Sequence, residues 1–126
     1  MKRFWVSLLL LCAVFLGFWG NVRYLSSLSS ELSTLLVRAQ SCSQNGDWEQ
    51  AQHLTEQAFS RWKDHELYLH STLHHADTDE IFLAFRQVTG FLHHREEGEY
   101  SAANHALIGR IQLLAEQEEF SLKNLL

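Results

Sequence analysis

The 126-residue chain contains no proline and only six glycines. Without proline no long helix is forced to break, because the proline ring removes a backbone donor and clashes with the preceding turn. Leu, Ser, Glu, Ala and Gln are abundant, and runs of β-branched residues that would favour strands are few. The composition therefore predicts an all-α protein.

Cysteine is also scarce, with one copy at Cys12 and one at Cys42. Cys12 lies inside an apolar segment and Cys42 lies a long helix away, so the two cannot meet in an internal disulfide. We therefore expect the fold to depend on apolar packing, for which 8 Phe, 4 Trp and 3 Tyr provide bulk.

Positive charge is sparse beyond the start of the chain. Of ten Lys and Arg residues, three (Lys2, Arg3 and Arg23) precede Tyr24, whereas all fifteen Asp and Glu residues follow it. The chain from Tyr24 onward has a formal net charge of −8 with His neutral. Because nucleic acid is a polyanion, this balance excludes it as a predicted partner.

An uncharged apolar run follows Lys2 and Arg3 and extends from Phe4 to Gly20. As a helix it is about 26 Å long, close to the ~30 Å of a bilayer's hydrocarbon core. We predict a membrane anchor over residues 1–23 and a helical domain over 24–126. The predicted lipid-facing residues are Phe4, Trp5, Leu8, Leu11, Phe15 and Trp19.

A cleaved signal peptide is the alternative interpretation of this segment. Cleavage after Gly20 would put Phe18 at the third residue before the cut, where a small residue is required. We therefore favour an uncleaved anchor. Lys2 and Arg3 favour a cytoplasmic N-terminus, which predicts a single-pass protein of the cell membrane with its C-terminal domain extracytoplasmic.

Beyond the anchor, apolar residues recur every three or four positions along one helix face, at Leu25, Leu28, Leu32 and Leu35. Two interpretations remain open. The stripe can pack on later helices of the same chain, or it can serve as an interaction seam for a second copy or another protein.

Three further helices are predicted. The first helix should end near Asn45 and Gly46, and the second should run from Asp47 to about Lys63. A third should open at Asp77. The fourth should follow Gly98 and end near Phe120, leaving residues 121–126 as a tail that docks on the bundle. The fold prediction is a transmembrane helix continuing into a small antiparallel bundle of three to four helices.

Histidine is concentrated between residues 53 and 105, where all eight copies lie. Residues four apart share a helix face, and nearby carboxylates could complete a zinc or copper site. The candidate ligands are His70, His74, His75, Asp77 and Asp79. Histidines on a solvated helix face need no metal, so the leading prediction includes neither a metal nor another cofactor.

No sequence motif for catalysis is present. The chain has no HExxH, CxxC, GxSxG or glycine-rich phosphate loop. We therefore predict that the protein is not an enzyme and infer no small-molecule substrate.

Four segments together resemble a small bacterial family known as domain of unknown function 4363: MKRFWVSLLLL, NGDWEQAQHLTEQAFSRWKDHELYL, HHADTDEI and FSLKNLL. The resemblance covers nearly the whole chain. It implies an N-terminal membrane helix followed by a compact helical domain, and an accessory role beside an integral membrane protein. It implies no activity.

The leading functional hypothesis is thus a membrane-anchored helical protein that binds another membrane or envelope protein, or itself. The alternative is a histidine-rich extracytoplasmic sensor that responds to metal or to pH, since imidazole titrates near neutrality.

Overall fold

The structure is a computed structural model that describes residues 1–64 and 75–125, without the side chains of residues 21–22, 75–77, 118–119 and 121–125. Four helices account for almost all of the described chain, and no strand occurs among these residues. The helices are α1 (Lys2–Gln44), α2 (Trp48–Asp64), α3 (His75–His93) and α4 (Glu97–Leu125). The all-α prediction is confirmed.

The helices form an antiparallel bundle. α1 packs against α2 and α4, and α3 packs against α4 and α2. Contacts across the α1–α4 interface run in opposite chain directions, since Gln40 meets Ser101 and Leu36 meets Asn104. The described parts of α1 and α3 do not pack against each other, which puts them at diagonal corners of the bundle.

The leucine stripe of α1 lies in the core of this bundle. Leu25, Leu28, Leu32 and Leu35 are each at most 8% exposed. Their neighbours in the core come from the other three helices. The stripe therefore packs on the chain's own helices, which was the first of the two interpretations of its spacing.

The other helices bury the faces that their spacing indicates. The buried residues on these faces include Ala51, Leu54, Thr55, Ala58, Trp62, Ile81, Phe85, Val88, Leu92, Tyr100, Leu107, Ile111 and Leu114. Phe59 of α2 adds a lateral contact to α3, with its ring centroid 5.7 Å from that of Phe82 and 5.2 Å from that of Phe85. Apolar and aromatic packing thus holds the bundle together.

Three predicted helix ends were wrong. α3 begins at His75, ahead of Asp77. α4 begins at Glu97, so that Gly98 lies inside it, and continues to Leu125 where an end near Phe120 was expected. Ala76 is a strong helix former and extends α3 backwards. No glycine or proline follows Gly109, so nothing in the sequence stops α4 before its last residues.

We call the end of the bundle that is remote from the apolar segment the far end. The α1–α2 turn and the α3–α4 turn lie there and have the same hydrogen-bond pattern. At the first, Gly46 N–H donates to the Ser43 carbonyl and Asp47 N–H donates to the Cys42 carbonyl. At the second, Arg95 and Glu96 repeat this pattern with carbonyls of α3. This paired arrangement is the Schellman motif, which needs one residue with left-handed backbone. Gly46 has φ of +82° and Arg95 has φ of +55°.

We predict opposite effects of substitution at these two positions. A Cβ at Gly46 would meet no other atom within 4 Å, so Gly46→Ala costs only backbone strain and should lower the free energy of unfolding by about 1 kcal/mol. Arg95→Gly relieves the same strain and should raise it by up to about 1 kcal/mol. Urea unfolding of the full chain in detergent micelles, followed by circular dichroism, measures both. Equal shifts of the same sign would contradict the assignment of the turns.

Candidate functional site: the apolar segment and the outer face of the first helix

The N-terminal half of α1 projects from the bundle with its apolar side chains uncovered. Phe4, Trp5, Leu8, Leu11, Phe15 and Trp19 are all more than 40% exposed. Successive helical residues point about 100° apart, so this exposure covers the whole circumference of the helix. Within the described chain, α1 is the single helix long and apolar enough to cross a membrane.

The apolar segment and the bundle meet without a linker. The guanidinium carbon of Arg23 lies 5.1 Å from the ring centroid of Trp19, which is a cation–π contact. Leu25, only two residues later, is already buried in the core. A membrane surface at the end of the apolar segment would therefore lie directly against the end of the bundle.

Beyond this junction α1 presents a polar surface, which we name the outer face and define by Ser26, Ser30, Thr34, Val37 and Arg38. All five residues are exposed. The Thr34 hydroxyl donates to the Ser30 carbonyl at 2.8 Å, so this side chain is already satisfied within the helix. Val37 is 56% exposed and is the large apolar side chain of the face.

Open grooves flank the outer face on both sides. The groove toward α4 has a volume of about 610 Å³ and includes Gln112 and Glu116. The groove toward α2 has a volume of about 720 Å³ and includes Gln57. An ion pair between Glu31 and Arg61 borders the second groove. The surface is therefore broad, shallow and rich in hydroxyl groups.

A polar network that is buried at Asn104 joins α1 to α4. The Asn104 side-chain amide donates to the Leu36 carbonyl at 3.0 Å and to Gln40 Oε1 at 3.1 Å. Gln40 Nε2 then donates to Ser101 Oγ at 3.0 Å and contacts His105 Nε2 at 3.2 Å. Because Gln40 Nε2 offers only hydrogens, His105 Nε2 is the acceptor of this contact.

Asn104 sets the register of the two helices. The residue is fully buried, and a buried amide without partners costs about 1–3 kcal/mol. Sliding α4 by one turn would remove both bonds to Leu36 and Gln40. No sequence prediction named Asn104, although it lies at the regular helical spacing between Tyr100 and Leu107.

Tyr100 is the most buried phenol of the described chain, with no exposed surface. Its ring makes an edge contact with Trp48, with the centroids 6.3 Å apart. Burial raises the pKa of Tyr100 from 10 to about 12. A raised folded-state pKa means that the neutral phenol stabilises the fold fully below pH 10, and this contribution is lost as the pH rises toward about 12.

The candidate metal ligands fall mostly outside what the structure describes. His70 and His74 lie in the segment between α2 and α3, and the side chains of His75 and Asp77 are also undescribed. Asp79 is exposed on α3. The described residues contain no group of three or more His, Cys, Asp or Glu arranged to hold a metal ion. The metal and pH hypotheses therefore stay predictions.

A family model described as domain of unknown function (DUF4363) matches residues 18–125. The chain belongs to this family. The DUF4363 match covers the last turn of the apolar segment and the whole bundle, including the C-terminal turns of α4. The predicted family is thus confirmed. No curated protein and no solved structure matches this DUF4363 chain.

We predict that Asn104→Ala lowers the free energy of unfolding by about 2 kcal/mol, because the substitution leaves a small cavity and removes two hydrogen bonds across the helix interface. Urea unfolding in detergent micelles measures the change. Gln112→Ala, at an exposed position on the same helix, is the matched control and should change stability by less than about 0.5 kcal/mol. Equal effects of the two substitutions would show that the network contributes nothing to stability.

Proposed function

We propose that this DUF4363 protein is a non-enzymatic, single-pass membrane protein whose bundle binds another membrane or envelope protein, or a second copy of itself. The exposed apolar half of α1 is the observation that carries the proposal. Apolar surface costs about 25 cal/mol per Å² when it stays in water. A helix that is apolar on every side requires a cover on every side, and lipid provides it.

The charges at the N-terminus support an orientation. Lys2 and Arg3 precede the apolar segment, and positive residues are retained on the cytoplasmic side. In this orientation the N-terminus is cytoplasmic and the bundle is extracytoplasmic. Trp19 and Arg23 then lie at the extracytoplasmic surface of the membrane, where aromatic rings and cations are favoured.

The outer face of α1 supports the proposed interaction. It lies on the same continuous helix as the apolar segment, so a partner helix that packs beside α1 in the bilayer meets this face as it leaves the membrane. The leucine stripe is unavailable for this purpose because it fills the core. A broad, shallow surface suits contact with a macromolecule better than capture of a small ligand, which enclosed pockets favour.

We predict that Leu11→Arg combined with Phe15→Arg releases the protein from membranes. Each arginine at the centre of a spanning helix costs about 3 kcal/mol, or about 6 kcal/mol together. Carbonate extraction of membranes followed by immunoblotting measures retention. The control is Leu83→Arg with Leu113→Arg, at exposed positions on the bundle, and this variant should stay in the membrane fraction.

Mass spectrometry of the extracted wild-type protein separates an anchor from a signal peptide. An intact N-terminal segment in the carbonate-resistant fraction supports the anchor. A soluble product that begins after Gly20 contradicts it.

We predict that a photo-crosslinking amino acid at Val37 captures a partner in native membranes, because this position is exposed at the centre of the outer face. Leu83 on α3 is similarly exposed on a helix that does not pack against α1, so it is the matched control. The expected product is an adduct with an integral membrane protein or a covalent dimer, formed at Val37 and not at Leu83. Free monomer at both positions would count against an interaction through this face.

A further inference from the structure

α4 extends past the end of the bundle that adjoins the apolar segment. The ion pair between Arg61 and Glu31 places the end of α2 about level with Leu28 of α1. The ion pair between Arg110 and Glu80 places the start of α3 near residue 115 of α4. Among the described residues only α1 and α4 continue beyond this level, and α4 does so from about residue 116 to Leu125.

Contacts along the α1–α4 interface fix where this extension lies. Gln40 meets Ser101 at the far end, and Ser26 and Glu116 line the same groove at the near end. In antiparallel helices each further turn of α4 is level with an earlier turn of α1. Phe120, one turn after Glu116, therefore lies about 6 Å closer to the apolar segment and about level with residue 21.

Phe120 is 64% exposed at this level, one residue past the charge-free run that ends at Gly20. The neighbouring aromatic on α1 is Trp19, which is half exposed and stacked on Arg23. Trp19, whose ring carries one polar atom, belongs to the residue types that form the aromatic belt at membrane surfaces. The wholly apolar ring of Phe is favoured slightly deeper, at the boundary between headgroups and acyl chains. The exposure and level of Phe120 therefore favour lipid as the cover for its ring.

We propose that the C-terminal turns of α4 form a second membrane contact, with Phe120 inserted at the lipid–water interface beside Trp19. This inference rests on the proposed function, because it requires the apolar segment to span a bilayer. Acidic residues at positions 116, 118 and 119 precede Phe120, so the contact suits zwitterionic phospholipid and disfavours anionic headgroups.

A second contact limits how the bundle can move. A domain held by one helix can tilt with that helix, whereas two helices at one membrane surface restrict the tilt. The α1–α4 interface, which includes the hydrogen bonds of Asn104 to Leu36 and Gln40, connects the two contact points. The outer face of α1 is then presented at a defined angle to the bilayer.

The test measures lipid contact at single positions of the full chain. Cys12 and Cys42 are replaced by alanine, and a single cysteine is placed at Phe120, Leu113 or Leu11 and labelled with the fluorophore NBD. Each protein is reconstituted in phosphatidylcholine vesicles with and without brominated acyl chains, which quench NBD on contact. Leu113 is the matched control because it is 53% exposed, on the same face of α4 as Phe120, and about 10 Å farther from the membrane.

The expected result is strong quenching at Leu11, clear quenching with a blue-shifted emission at Phe120, and little quenching at Leu113. Quenching at Phe120 no greater than at Leu113, with Leu11 still quenched, would overturn the second contact and leave the anchor intact. A blue shift at Phe120 without quenching would also overturn it, in favour of a protein contact such as a second copy. No quenching at Leu11 would overturn the membrane proposal itself.

Discussion

The continuity of α1 is the constraint on which the rest of the structure depends. One helix of 43 residues carries the exposed apolar segment in its first half and a side of the bundle core in its second half. Its length is about 64 Å, which is roughly twice the thickness of a hydrocarbon core. Because no glycine-rich or flexible linker separates the halves, the direction of the apolar segment sets the direction of the bundle.

Two interactions pack the other helices around the second half of α1: nonspecific burial of apolar side chains and specific hydrogen bonds from Asn104. The leucines of the stripe are buried whenever any apolar surface covers them, so they favour association without choosing a register. Asn104 favours one register, since its amide nitrogen donates to the Leu36 carbonyl and to Gln40 Oε1 only when these groups are opposite. A single buried polar residue at a helix interface can thus specify alignment at a modest cost in stability.

The unequal lengths of the helices give the bundle two different ends. The far end is closed by two short turns at Gly46 and Arg95. At the near end the described parts of α2 and α3 stop while α1 and α4 continue, so the exposed ring of Phe120 lies close to the level of Trp19. This asymmetry agrees with a domain that faces a membrane with one end and water with the other. The outer face of α1 lies between the two ends and is open to contacts from the side.

Helix content, the apolar segment, the turn at Gly46 and the leucine stripe of α1 follow from composition and spacing, because these are local properties of the chain. Three other features could be established only from the folded structure. Spacing alone could not say whether Leu25 and Leu32 meet the same chain or another, since a stripe has the same pattern in both cases. The role of Asn104 depends on partners more than 60 residues away. The level of Phe120 depends on the register between α1 and α4, which is set by contacts across the interface and by no signal within either helix.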